Sequence, residues 1–115
     1  MPAARYCSNI IESPIENGQL VLPGGRQAIG GDATMPAAVA MIRPETIRVV
    51  ETRSAPLSGT IDSVSFIGDR QRLVVSGASS KLITIDAPNT VQARAGERVG
   101  LLISPDAVRL LPPEN

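Results

Sequence analysis

The chain has 115 residues, and its eleven basic and eleven acidic side chains leave a formal net charge of zero. A balanced charge gives no long-range field to attract a polyanion, so nucleic acid and anionic membrane surfaces are disfavoured as partners. The chain has no histidine, which removes the commonest general base and metal ligand, and its single cysteine, Cys7, excludes an internal disulfide and a multi-cysteine zinc site.

Composition favours one small β-rich domain. With one tyrosine, one phenylalanine and no tryptophan, the core has to be built from aliphatic side chains. The ten prolines and ten glycines cluster between short apolar runs, as turns do in an all-β fold. No stretch approaches the roughly 18 apolar residues of a membrane span, and residues 1–10 lack the apolar core of a signal peptide. We therefore expect a soluble domain.

Short strands joined by turns are predicted for the first half. The Asn17-Gly18 pair is a strong hairpin signal between the apolar residues at 10–11 and those at 20–22. Glycines and prolines at 23–25 and 30–36 then predict two further loops, and the next strand covers residues 38–42. Residues 51–56 are polar and end in proline, which predicts a joint between two units.

The second half predicts a strand meander with one bent strand. Its apolar residues are Ile61, Val64, Phe66 and Ile67, so the inward-facing parity shifts after Ile61. Such a shift indicates a β-bulge near 62–63, which lets a long strand bend around a small barrel. Strands are predicted at 72–76, 82–85 and 99–103, after turns at 68–69 and 77–80.

An eleven-residue phrase occurs twice, at 40–50 and again sixty-one positions later at 101–111. Each copy has an aliphatic run, a proline followed by an acid, and then an aliphatic residue, an arginine and two more aliphatics. Repetition in so short a chain predicts two copies of one supersecondary unit. We expect the two arginines, Arg48 and Arg109, to lie on a solvated strand face.

Each phrase predicts a strand, one helical turn and a short closing strand. A residue before proline is held extended, while proline itself suits the first helical position, so Pro44 and Pro105 mark these turns. Glu45 and Asp106 would follow at once, near the positive end of the turn. Ser104 is a competent N-cap for its turn, whereas Arg43 is not.

These elements predict an all-β fold. We expect an OB-like small barrel, or a pair of them, formed by two related strand-rich halves at about 9–50 and 57–112, with short helical turns after Arg43 and Ser104. Residues 1–8 are expected to be a linker from an upstream domain, and 113–115 a tail.

The sequence disfavours four kinds of chemical site. Residues 24–31 are glycine-rich but lack the Gly-Lys-Ser/Thr ending of a phosphate-binding loop, since the one lysine is Lys81. Paired aspartates (Asp62 with Asp69, Asp86 with Asp106) could do acid and base work or bind calcium, but they lack the spacing of a calcium loop, and turn and strand-edge positions account for them. The serines at 63, 79 and 80 have no companion base for nucleophilic catalysis. Single-stranded nucleic acid binding by an OB barrel needs aromatic platforms and a cationic groove, which this composition disfavours.

Several phrases, taken in order, carry a family resemblance. They are 41–48 (MIRPETIR), 59–61 (GTI), 66–69 (FIGD), 95–99 (AGERV) and 104–112 (SPDAVRLLP). The series resembles the transport-associated OB domain, TOBE, found at the C-terminus of the ATP-binding subunits of bacterial ABC importers. The signature positions are structural ones: Arg43, Pro44, Glu45, Gly59, Gly68, Asp69, Gly96, Pro105 and Asp106.

The resemblance implies a regulatory and dimerisation role without catalysis. It implies a homodimer in the cytoplasm at the inner face of the plasma membrane, with an upstream ATPase domain and importer permease subunits as partners. ATP and Mg²⁺ would bind that upstream domain, and no catalytic, cofactor or metal residue is assigned in this chain. The phrase at 66–69 is closest to polyamine, opine, sugar or iron importers. The alternative is a small-ligand or oxyanion module, because relatives of the family include molybdate-binding barrels, although their residue pattern is not found here.

Overall fold

The computed structural model describes residues 8–30 and 36–111. It confirms the all-β prediction, with ten strands in the described residues: β1 Asn9–Glu16, β2 Gln19–Leu22, β3 Gly25–Ala28, β4 Ala37–Ile42, β5 Ile47–Val50, β6 Leu57–Ile67, β7 Arg70–Ser76, β8 Ile83–Pro88, β9 Arg98–Ile103 and β10 Arg109–Leu111. Within the same part of the chain, three single turns of 3-10 helix lie at Pro44–Thr46, Thr52–Ser54 and Pro105–Ala107. The described residues do not include Tyr6, Cys7, the predicted tail at 113–115, or most of the predicted linker at 1–8 and loop at 30–36, so these stay predictions.

Each half is built around one long first strand. β1 pairs with β4 over Asn9–Pro14 and with β2 at its end, where Ile15 lies opposite Leu20. The intervening Asn17-Gly18 turn has φ values of +52° and +74°, as a type I′ turn requires, and the predicted hairpin is confirmed. β6 likewise pairs with β9 over Leu57–Thr60 and with β7 over Thr60–Ile67.

The bulge predicted in the long strand of the second half is confirmed. The β6–β7 register shifts between Ile61 and Ser63, and Val64 beyond the bulge packs against the core. The inward position expected for Phe66 is wrong, however, because its side chain is 73% exposed. Beyond Val64 the side chains of β6 lie outside the core, although Gln71, which lies opposite Phe66 on β7, is buried.

The closing strands are exchanged between the halves. β5, which ends the first half, pairs with β9 of the second half, and β10, which ends the second half, pairs with β4 of the first. The two registers are equivalent: Arg48 lies opposite Leu102, and Arg109 lies opposite Met41, each sixty-one positions away from its counterpart. Each barrel is therefore completed by the other half of the chain.

The core that results is aliphatic, as composition predicted. Leu20, Leu73, Ile83, Ile85 and Leu101 are fully buried, and β1, β4 and β9 place alternate side chains inward. Each such side chain contributes about 1.5–3 kcal/mol by leaving water. No helix formed by residues 8–30 or 36–111 is long and apolar enough to cross a membrane.

Candidate functional site

The two repeated phrases form the closures of the barrels. Arg43 and Ser104 both have extended backbones, and a 3-10 turn starts at the proline that follows each, which confirms the predicted helical turns. The Thr46 N–H and hydroxyl both donate to the Arg43 carbonyl, at 3.0 and 2.6 Å. The Ala107 N–H donates to the Ser104 carbonyl at 2.9 Å.

The N-cap role expected of the Ser104 side chain is wrong. Its hydroxyl makes no capping hydrogen bond. The i to i+3 pattern of a single 3-10 turn leaves few backbone N–H groups for a side chain to cap. Backbone carbonyls accept the hydrogen bonds of those N–H groups. The Val108 N–H bonds Pro105 O at 3.2 Å, in addition to the bond that Ala107 makes with Ser104.

The acids and bases of the phrases face solvent. Arg43, Glu45 and Asp106 are exposed, as are Arg48 and Arg109, which confirms the solvated face expected for the two arginines. The two prolines differ, since Pro44 is buried and Pro105 is exposed. The closures therefore do not gather their charged groups into one pocket.

The other signature positions lie in turns and close contacts. Gly68, with φ +62°, and the exposed Asp69 form the tip of the β6–β7 hairpin. Gly96, with φ +90°, donates its N–H to Ile61 O at 2.6 Å, beside the bulge. A Cβ on Gly59 would lie 2.6 Å from Cγ1 of Val75, so only glycine fits there. These residues shape the backbone.

A buried amide at the first closure was not predicted from the sequence. Nδ2 of Asn9 donates to Ile42 O at 3.2 Å and to Thr84 O at 2.8 Å, and its Oδ1 accepts the Thr84 N–H at 2.7 Å. The side chain thus bridges β1, the end of β4 and the edge of β8. A polar residue at an inward position of an alternating strand was the signal that could have found it.

A second amide serves the equivalent point of the other closure. Nε2 of Gln27 donates to Ile103 O at 2.9 Å and to Ala28 O at 2.8 Å. Ile103 stands sixty-one positions after Ile42, which is the acceptor for Asn9. Oε1 of Gln27 is buried without a partner among the described residues. Flipping the amide would place this oxygen, which is an acceptor, against the two carbonyl oxygens that now accept from Nε2. The present orientation therefore leaves Oε1 as an unpaired acceptor, which repels an anion.

The described residues form an open groove of about 750 Å³. It lies between the joint and the β8–β9 loop. It is lined by Val49, Val50, Glu51, Thr52, Arg53, Val91, Gln92, Glu97, Arg98 and Val99. Its charges balance: Arg53 lies 3.9 Å from Glu51, and Arg98 donates to Ser58 Oγ at 3.1 Å. All four of the charged side chains in the groove are exposed.

The carboxylate pairs considered from the sequence are not brought together as pairs. Asp62 accepts a hydrogen bond from Ser76 at 2.8 Å, and Asp86 pairs with Arg72 at 2.9 Å. Asp69 and Asp106 are exposed. Within the described ranges, no three histidine, cysteine, aspartate or glutamate residues are grouped for a metal ion.

The glycine-rich run at 24–31 is used in packing where it is described. Gly24 donates its N–H to Ala78 O at 3.1 Å and accepts from Ser58 at 3.0 Å. A Cβ on Gly25 would lie 2.0 Å from Pro56 O. These contacts join the two halves, and they leave no space for a phosphate between these backbones.

Comparison with known families decides the assignment. The family model described as the TOBE domain matches residues 40–111, more than half of the chain. The chain belongs to the TOBE domain family. The match covers both closures and the whole second half of this TOBE domain. No curated protein matches the chain.

One solved structure has a similar architecture over most of the chain. The TOBE domain is similar to a crystal structure of the cytoplasmic molybdate-binding protein ModG with molybdate bound. The TM-score is 0.75 at 15% identity, covering 91% of this chain and 96% of the ModG chain. At that identity the likeness shows the fold.

Proposed function

We propose that this TOBE domain is the non-catalytic regulatory and dimerisation domain of the ATP-binding subunit of an ABC importer. Family membership supports the proposal, and one structural observation carries it. The signature residues form closures, turn tips and close backbone contacts. Their role is therefore to shape the backbone that presents the surfaces of the domain. The sequence has no Gly-Lys-Ser/Thr loop, so ATP and Mg²⁺ would bind an upstream domain.

The parent reading frame provides the direct test. We expect an ATP-binding domain encoded immediately upstream of residue 1. A stop codon or an unrelated domain there would contradict the proposal. In the same parent, deleting residues 9–112 should leave nucleotide binding intact and weaken the ATP-free dimer, measured by light scattering. A dimer of unchanged strength would remove the dimerisation role.

A small-ligand or oxyanion module is the second candidate. The ModG fold supports it, because that protein is described as binding molybdate. The groove between the joint and the β8–β9 loop would be the site, with Arg53 and Arg98 as its cations. Glu51 and Glu97 oppose them, so the groove has no net positive charge, which disfavours an anion.

Calorimetric titration separates the two candidates. Molybdate, sulfate, phosphate and a polyamine would be titrated into the full chain, its Arg98→Ala variant and, as a control outside the groove, Arg26→Ala. No heat from any of these ligands would remove the second candidate. Heat from an oxyanion that is lost in Arg98→Ala and kept in Arg26→Ala would establish it.

A further inference from the structure

The first barrel has a sheet surface on β10, β4 and β1 that faces away from its core, which we call the open face; Met41 and Val39 at its centre are half-buried. Residues paired across these strands place their side chains on it in two rows. One row is Arg109, Met41 and Ile10, and the other is Leu111, Val39 and Glu12. Ile10 and Leu111 are 49% and 46% exposed, although both are large and apolar. The opposite side of β4 is fully committed to the core.

The equivalent surface of the second barrel is covered by the chain itself. In the exchanged registers, Gly100 of β9 takes the place that Val39 has in β4. A Cβ on Gly100 would lie 2.5 Å from Glu51 O and 2.9 Å from Cβ of Ala55, so the joint packs directly on this glycine. The branched side chain of Val39 occupies the space that a glycine would leave for such a segment. No segment can therefore approach β4 at Val39 as closely as the joint approaches β9 at Gly100.

The charges of the open face are arranged to match a second copy of the same face. Arg109 and Glu12 stand at opposite corners, with the four apolar residues between them. Among residues 8–30 and 36–111, neither charge takes part in an ion pair within the chain. A twofold axis in the plane of the face, along the line from Ile10 to Leu111, brings each Arg109 against the partner's Glu12. The strands of the two copies then cross steeply, close to the orthogonal class of sheet packing.

We propose that two copies of this chain associate through their open faces, with Ile10, Met41, Val39 and Leu111 at the centre and two Arg109–Glu12 ion pairs at the rim. The inference rests on the proposed function only in its expectation of a homodimer. The surface and its symmetry follow from the registers and exposures above. The patch is small, so the dimer falls in the weak class of interfaces that bury less than about 1,200 Å².

Charge exchange on the full chain tests the proposed dimer. Sedimentation equilibrium would compare wild type, Glu12→Arg, Arg109→Glu and the double variant. Each single reversal acts twice in a symmetric dimer, so it should weaken association at least about tenfold. The double variant restores opposite charges and should recover most of the wild-type affinity.

Two further measurements keep the result specific. Arg48→Glu is the matched control, because Arg48 stands beside Leu102 as Arg109 stands beside Met41, but in the other barrel. It should leave association unchanged, and circular dichroism should show all variants folded. A monomeric wild type at high concentration, or a double variant no stronger than the singles, would overturn the proposal. Neither outcome bears on the upstream reading frame, so failure of this interface and failure of the proposed function are distinguishable.

Discussion

The side chain of Asn9 pairs with the backbone of Thr84 as a neighbouring strand would. Its Nδ2 donates to Thr84 O at 2.8 Å and its Oδ1 accepts the Thr84 N–H at 2.7 Å, across 75 residues of sequence. Asn9 is only 7% exposed, and it also donates to Ile42 O. One amide thereby holds together three elements at the first closure.

Asn9→Ala should destabilise the fold by about 2–4 kcal/mol, because it leaves buried backbone groups of Thr84 and Ile42 without partners. Asn9→Asp should cost at least as much, since a carboxylate cannot donate to the two carbonyls. Urea unfolding measures both. Asn89→Ala is the control, because Asn89 is exposed and makes one long bond, 3.3 Å, to Gly68 O. Equal midpoints for Asn9→Ala and Asn89→Ala would contradict this role.

The two closure prolines should differ in their effect on stability. Pro44→Ala removes a buried ring and should destabilise by about 1–2 kcal/mol, through lost packing and a freer unfolded chain. Pro105 is exposed, so Pro105→Ala should cost only the entropic part, about 0.4–1 kcal/mol. Thermal melting of both variants gives the comparison. Unchanged melting temperatures in both would refute a structural role for these turns.

Gly100 should not tolerate a side chain. Gly100→Ala would press Cβ against the Glu51 carbonyl, which belongs to the backbone and cannot rotate away, and should cost about 1–3 kcal/mol. Gly30→Ala is the matched control, because the nearest atom to its Cβ, at 3.2 Å, is Oδ1 of the exposed Asp106. That substitution should stay within about 0.5 kcal/mol of wild type. A stable Gly100→Ala variant would show that the joint does not pack on β9.

The exposed hairpin tip should contribute little to stability. Phe66→Ala should change the free energy of unfolding by less than about 0.5 kcal/mol, because the ring is 73% exposed. Leu73→Ala on the partner strand should cost about 2–5 kcal/mol, because Leu73 is fully buried. Denaturant midpoints test the pair. A large loss in Phe66→Ala would restore the inward position that the strand parity had predicted.

Local signals predicted much of the fold. The Asn17-Gly18 turn, the bulge after Ile61 and the alternation at Val99, Leu101 and Ile103 each depend on neighbours in sequence, and each is confirmed. The exposure of Phe66 could not be predicted in the same way. Parity gives the face on which a side chain lies, and only the finished fold shows where the core beneath that face ends.

The long-range features gave no comparable signal. The residues around Arg48 do not indicate that β5 pairs with β9, where Arg48 lies opposite Leu102. A closing strand of the same pattern would fit its own half equally well. The amides of Asn9 and Gln27 were equally hidden, since their acceptors lie up to 76 residues away. The repeat was visible in the sequence, but the exchange of its last strands was not.

The exchange also sets the order in which the protein can be completed during synthesis. β4 is made early, yet its partner β10 is Arg109–Leu111, at the far end of the described chain. The first barrel therefore stays open on the ribosome until the second half has emerged. For the second barrel, β5 has already been synthesised when its partner β9 emerges. The half that is translated first is the last to close.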